Sequence, residues 1–164
     1  GDLLKIDIGM RFQCIVTVMA RTVRIGTVSA EAEQLAAVTE ESLRLGIAEL
    51  RPGAHISRYA RAVQKHVEAH GFSVVRDLVG HGVGRELHED PQIPNYVSRD
   101  MDDFVVRTGM TLALEPMVNK GKFSVKIASD DWTFITTDGK LSAHFEDTVV
   151  ITEKGADVVT RYED

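Results

Sequence analysis

The sequence predicts an α+β fold of two helices and a set of antiparallel strands, and three observations carry that expectation. Apolar residues recur at helical spacing in two stretches, Ser29 to Leu50 and Ser57 to His70. Short runs rich in Val, Ile, Thr and Phe lie on both sides of that pair, so strands and helices are grouped rather than alternated. Turn dipeptides such as Asp138-Gly139 and Lys154-Gly155 join successive runs closely enough for antiparallel pairing. With 164 residues, 43% apolar and 27% charged, the chain has the size and composition of one globular domain with a real core.

Taken in order, Leu3 to Ile8 alternates as a strand, with Leu4, Ile6 and Ile8 on one face and Leu3, Lys5 and Asp7 on the other. Arg11 to Ile25 reads as a second strand or long hairpin arm whose face Phe12, Cys14, Val16, Val18 and Ala20 is wholly apolar. Cys14 on that face is expected to be a small buried hydrophobe. Ser29 is placed to cap the first helix, with Glu31 and Glu33 in the first turn, where the helix dipole favours negative charge. Arg51-Pro52-Gly53 stops that helix. The second turns Ala60, Val63 and Val67 inward and closes at Gly71. His66 and His70 sit four apart on it, but no further ligand lies nearby in sequence, and both fit a solvated face. Beyond it, strands are expected at Phe72–Val79, Thr111–Glu115, Trp132–Thr136, Leu141–Thr152 and Ala156–Arg161. A polar loop is expected from Pro91 to Val106 and a loop or hairpin from Lys120 to Asp131.

The chemistry concentrates in Gly80-His81-Gly82-Val83-Gly84-Arg85-Glu86-Leu87-His88-Glu89-Asp90-Pro91. Glycines around His81 let the backbone turn sharply and let another group approach closely. Downstream, Glu115 and Glu146 each stand in an otherwise apolar, strand-like run, where an unpaired charge is costly to bury. A histidine with separated glutamates in buried positions is a metal-site constellation. Asp7, at the end of a strand before Gly9, reads by itself as a turn-forming aspartate.

Composition narrows the partners. A net charge of −6 argues against non-specific nucleic-acid binding, which needs a basic footprint. No apolar run reaches membrane-spanning length and no stretch has signal-peptide order, so no membrane partner is expected. The single cysteine, Cys14, excludes an internal disulfide and fits a reducing compartment, with the cytoplasm as the expected location. Oligomeric state is left open. The chain opens Gly1-Asp2, already in a strand-like pattern, which fits either a removed leader or the later part of a longer protein.

Three motifs, taken in order and at these spacings, resemble the methionine aminopeptidases. They are Gly80-His81-Gly82 through Pro91-Gln92, Glu115-Pro116-Met117-Val118-Asn119, and Trp132 through Ser142-Ala143-His144-Phe145-Glu146-Asp147-Thr148. The likeness extends over nearly the whole chain, including Ile6-Asp7-Ile8-Gly9, and the short gap between His88 and Glu115 resembles the type I enzymes. The resemblance implies the pita-bread (creatinase/aminopeptidase-like) fold: a curved antiparallel sheet with helices on its convex face, here one catalytic domain over residues 1–164 without the family's N-terminal part. It implies divalent metal ions (Mn, Co, Fe or Zn, one or two per chain) held by Asp7, His81, Glu115 and Glu146. It further implies His88 and Glu115 as catalytic groups, His88 and Trp132 as substrate contacts, and Leu87 where the family often has Phe. The implied reaction is hydrolytic removal of N-terminal methionine from nascent peptides by a metal-activated hydroxide. The implied partners are peptide and protein N-termini beginning with Met.

One departure is chemical. The family's second aspartate ligand falls eleven residues after the first, and here that position is Val18, which has no lone pair to offer. One occupied site at best is therefore expected. Two other readings remain at this stage: a pseudoenzyme or binding module of the same fold, motivated by Val18, and a related Xaa-Pro dipeptidase.

Overall fold

The computed structural model describes residues 1–161. Strand β1 (Leu3–Phe12) pairs antiparallel with β2 (Ile15–Arg24), from Leu3 opposite Arg24 to Phe12 opposite Ile15. Gln13 and Cys14 form the turn, with φ of +46° and +68°, the backbone sign pattern of a two-residue type I′ hairpin. This corrects the expected arm running from Arg11 to Ile25. Because the turn falls at residues 13–14, Phe12 and Cys14 do not share a face with Val16 and Val18; Cys14 is exposed, not a buried hydrophobe. Asp7 opposite Ala20 and Gly9 opposite Val18 bring the odd residues of β1 and the even residues of β2 to one face. Val16, Val18, Ala20 and Thr22 on that face are buried.

Helix α1 (Ala30–Ala48) begins as the sequence indicates, with the Ser29 hydroxyl accepting the Ala32 N–H at 3.2 Å. Helix α2 (Ser57–Ala69) follows Ile56, which has no side chain to cap it. Asp103 supplies the cap from the distant loop, accepting the Ser57 N–H at 2.9 Å and its hydroxyl at 3.0 Å. The helices touch at Gly46: a Cβ there would lie 2.6 Å from the Tyr59 ring. Only glycine lets the two axes come this close.

The other strands are β3 (Ser73–Val74), β4 (Gly80–Gly82), β5 (Glu89–Ile93), β6 (Thr111–Leu114), β7 (Met117–Asn119), β8 (Val125–Ile127), β9 (Phe134–Thr136), β10 (Ser142–His144), β11 (Asp147–Thr152) and β12 (Gly155–Val158). Besides the β1–β2 hairpin they form a five-stranded sheet ordered β12-β11-β6-β4-β5, a three-stranded sheet β10-β7-β3 and the β8-β9 hairpin. Every pair is antiparallel, and Lys154-Gly155 joins the paired β11 and β12 as expected, whereas Asp138-Gly139 joins β9 to β10, which lie in different sheets. Two expected strands are broken. Phe72–Val79 keeps only β3, and Leu141–Thr152 divides at Phe145-Glu146, where the chain passes from one sheet to another. The loop expected from Pro91 opens as the end of β5. The main core joins α1 and α2, through Leu35, Leu43, Tyr59 and Val63, to Leu112, Leu114, Val118 and Val149 of the sheets.

Candidate metal centre

The break between β10 and β11 is what aims Glu146. Its N–H donates to the Ala20 carbonyl at 2.9 Å, and the Ala20 N–H donates back at 3.2 Å, a single bridge that fastens β2 to this corner. Arg21 holds the corner from the side: one guanidinium nitrogen donates to the Glu146 carbonyl and another to Asp147 at 2.6 Å. Glu115 follows β6 directly. The Asn95 amide donates to its carbonyl at 3.3 Å, and buried Tyr59 fixes that amide by donating to Asn95 Oδ1 at 2.6 Å.

His81 is the middle residue of β4, between β5 and β6. A Cβ on Gly80 would run into the Ala113 carbonyl oxygen and one on Gly82 into that of Asp90. The glycines flanking His81 are thus required by neighbouring backbone. The Nδ1–H of His81 donates to the Gly82 carbonyl at 2.8 Å, which leaves Nε2 with a free lone pair directed at the carboxylates.

These placements bring one ligand atom each of His81, Glu115 and Glu146 within 4.8 Å of one another. His81 Nε2 lies 3.4 Å from Glu115 Oε1. Burial, then Glu146, then Asp7 push the Glu115 carboxyl up to about 9. Burial, then Asp7 and Asp147, push Glu146 up to about 8 against the pull of Arg21. Asp7 is raised by burial and opposed by His81 and His88. Burial lowers His81. Three crowded carboxyls around a neutral imidazole form a donor set that a divalent cation satisfies: hard oxygen plus borderline nitrogen, with carboxyls that burial and mutual repulsion keep protonated until a cation favours their charged form.

Of the residues singled out in the sequence, His81, Glu115 and Glu146 converge. Asp7 stands beside them, close enough to shift both glutamates. His88 is exposed and its ring lies against that of His81, with centroids 4.4 Å apart and the planes tilted by 58°. The loop that carries it is shaped by Glu89, which accepts the N–H groups of Arg85 and Glu86 at 2.7 and 2.8 Å. Trp132 lies in the turn between β8 and β9, is 84% exposed, and is not packed against the cluster. Leu87 is 42% exposed. Val18 is buried with Val16, Val83 and Ala113 in a separate apolar cluster, so its position offers no donor to a second ion. His66 and His70 stack on each other at 4.6 Å and gather no carboxylate.

Two residues of the site escape a reading of sequence. His144 is 9% exposed, its Nε2 is buried without a partner, and that atom lies 3.7 Å from Glu115 Oε2. Burial, reinforced by Lys5, pushes it down to about 4, so it is neutral at neutral pH and this contact is not an ion pair. Arg21 lies in a strand of alternating residues, and only the bridge from Ala20 to Glu146 brings it to the corner. An alternation in which His144 points inward between Ser142 and Glu146 is the one available signal for it.

The chain belongs to metallopeptidase family M24, whose family model matches residues 1–153. Within it, the chain is similar to methionine aminopeptidases. It is 48% identical over 161 residues to methionine aminopeptidase 1 of Bacillus subtilis, covering 98% of this chain and 64% of that protein. It is 46% identical over 160 residues to methionine aminopeptidase B of a Synechocystis species, covering 98% and 58%. The crystal structure of methionine aminopeptidase from Thermotoga maritima superposes with a TM-score of 0.94 at 44% identity, over 99% of this chain and 65% of that one. The prolidase of Pyrococcus furiosus gives 0.76 at 26% identity, over 100% of this chain and 42% of that one. The fold is therefore that of the pita-bread aminopeptidases, with its strands here distributed over four sheets. The chain spans 58–64% of the length of these curated relatives. Among the described residues no helix is long and apolar enough to cross a membrane.

Proposed function

We propose that this chain carries the metal-dependent hydrolytic chemistry of a methionine aminopeptidase, residues 1–164 acting as one catalytic domain that removes methionine from peptide and protein N-termini. The observation that supports it most is the convergence of His81, Glu115 and Glu146 within 4.8 Å. One divalent cation (Mn, Co, Fe or Zn) would be held by His81 Nε2, Glu115 and Glu146, with Asp7 beside them. A second ion would find no oxygen donor at position 18, where Val18 is packed in an apolar cluster. When bound, the cation would polarise the scissile carbonyl as a Lewis acid and lower the pKa of water toward neutrality.

The chain's own groups do the rest. Glu115, with one oxygen toward His81 and the other toward His144, is placed to take a proton from the attacking water. His88, lying against His81 on an exposed loop, is placed to donate a hydrogen bond to the oxyanion that develops on the substrate carbonyl. Trp132, exposed on its hairpin, is assigned to contact the methionine side chain by its place in the motif order.

The test is release of free methionine from a Met-Ala-Ser peptide with Mn²⁺ or Co²⁺, beside a Xaa-Pro peptide. Methionine release is expected. Cleavage of the Xaa-Pro substrate alone would move the chain to the dipeptidase reading. Tight metal binding without turnover of either would make it a binding module, the reading that buried Val18 favours.

A further inference from the structure

His144 stands within the third motif, yet neither the resemblance nor the proposed reaction gives it a role. It is the last residue of β10, and its backbone is fixed on both sides by one hydroxyl. The His144 N–H donates to Thr22 Oγ1 at 2.9 Å and the Thr22 hydroxyl donates to the His144 carbonyl at 2.8 Å. Thr22 is itself 3% exposed, so the imidazole is anchored from a buried strand rather than swung from a loop. Its Nε2 is buried and has no hydrogen-bond partner. A buried polar nitrogen left unpaired is destabilising, so its retention calls for a partner or a role.

What lies in front of that nitrogen is Glu115 Oε2, at 3.7 Å, while Glu115 Oε1 faces His81 Nε2 at 3.4 Å. The two oxygens of one carboxylate thus face two different imidazoles. His144 stands outside the trio whose ligand atoms lie within 4.8 Å of one another, so it is not placed to bind the same ion directly. Resting on the metal-site reading above, we propose that His144 is a positioning residue of the metal centre: its Nε2–H donates to Glu115 Oε2 and holds Glu115 as a one-oxygen ligand through Oε1. The gap exceeds hydrogen-bond range by a few tenths of an ångström, which a small rotation of the Glu115 carboxylate would close. Outer hydrogen bonds of this kind orient a ligating carboxylate, and removing one lowers metal affinity by roughly 10–100-fold.

The experiment is Zn²⁺ titration calorimetry on the chain, on His144→Leu and on His144→Gln, each checked for folding by circular dichroism. The chain itself should bind one Zn²⁺; absence of binding would sink the metal-site reading together with this inference. Given binding, His144→Leu should weaken it roughly 10–100-fold, and His144→Gln, which keeps an N–H donor, should restore most of the affinity. Equal affinity in all three would overturn the role of His144 while leaving the metal site standing. Should His144→Leu fail to fold, ¹⁵N-histidine NMR of the unaltered chain decides. The Nε2 proton of His144 should persist and become more protected when Zn²⁺ is added. Its loss, with a coordination shift at that nitrogen, would make His144 a ligand and overturn the proposal.

Discussion

Val18 and Thr148 are joined by one hydroxyl used twice: Thr148 Oγ1 accepts the Val18 N–H at 2.9 Å and donates to the Val18 carbonyl at 2.8 Å. The pair locks the middle of β2 onto β11, so the Val18 side chain is held in place against Val16, Val83 and Ala113. Valine here is thus an integrated part of a small apolar cluster.

From that follows the behaviour of Val18→Asp. Without metal the new carboxylate is buried among apolar groups near Asp7 and should cost about 2–4 kcal/mol. With Mn²⁺ the cost should be largely recovered and the bound metal should rise from one to two ions per chain. Urea unfolding and elemental analysis after desalting read the two quantities. A stoichiometry of one in both proteins would show that position 18 does not decide the second site.

The raised carboxyls make a statement about pH. Glu115 and Glu146 are held at about 9 and about 8 in the folded chain, against 4.5 for an ordinary glutamate. Between pH 4.5 and 9 the folded form therefore keeps protons that the unfolded form has released, and stability falls as pH rises through that window. The full contribution is present below pH 4.5 and lost above about 9. Thermal melts in EDTA should show a midpoint declining from pH 5 to pH 9, and saturating Mn²⁺ should flatten or reverse that slope. A midpoint that rises with pH in EDTA would mean these carboxyls are not repelling one another in the metal-free chain.

Glu146→Gln isolates the same repulsion. It removes one of the charges crowding Glu115, so the metal-free chain at pH 8 should melt about 2–4 °C higher, the shift expected for roughly 1 kcal/mol in a domain of this size. The same substitution deletes a proposed ligand, and Zn²⁺ affinity should fall at least about ten-fold. Stabilisation without metal together with loss of metal binding separates a ligand from a structural glutamate, which would lose stability in both conditions.

How much of this was legible in the sequence depends on the distance over which each feature is determined. The helices were, because Ser29 and the apolar stripes act within a few residues; so was the β11–β12 hairpin, whose Lys154-Gly155 turn acts locally, whereas Asp138-Gly139 joins strands of two different sheets. His81, Glu115 and Glu146 were legible because their surroundings are anomalous: glycines that neighbouring backbone requires, and carboxyls inside apolar runs. The hairpin turn was missed because Gln13-Cys14 carries no turn chemistry, and the flanking residues alternate equally well through it. His144 and Arg21 were missed because a contact across β2 gives them their role, which no local spacing encodes. The α2 cap was hidden for the same reason, since Asp103 reaches Ser57 from 46 positions away.

Asp147 provides the last test, because it joins stability to the site. Its carboxylate is fully buried and accepts from Arg21 at 2.6 Å, from Arg161 at 2.6 and 2.8 Å and from the Thr160 hydroxyl at 2.9 Å. One anion thus balances two guanidinium groups, and Asp147→Asn leaves both facing a neutral amide. Breaking a buried pair from one side is expected to cost about 3–5 kcal/mol, seen as a lower urea midpoint with an unchanged slope. Because Arg21 also donates to the Glu146 carbonyl, freeing it should loosen Glu146 and weaken Zn²⁺ binding in the same variant. Arg161→Ala removes a partner of Asp147 but leaves Arg21 in place, so it should cost stability with Zn²⁺ affinity nearly unchanged. Equal loss of Zn²⁺ affinity in the two variants would mean that Arg21 does not carry the link between this ion-pair cluster and the metal ligand.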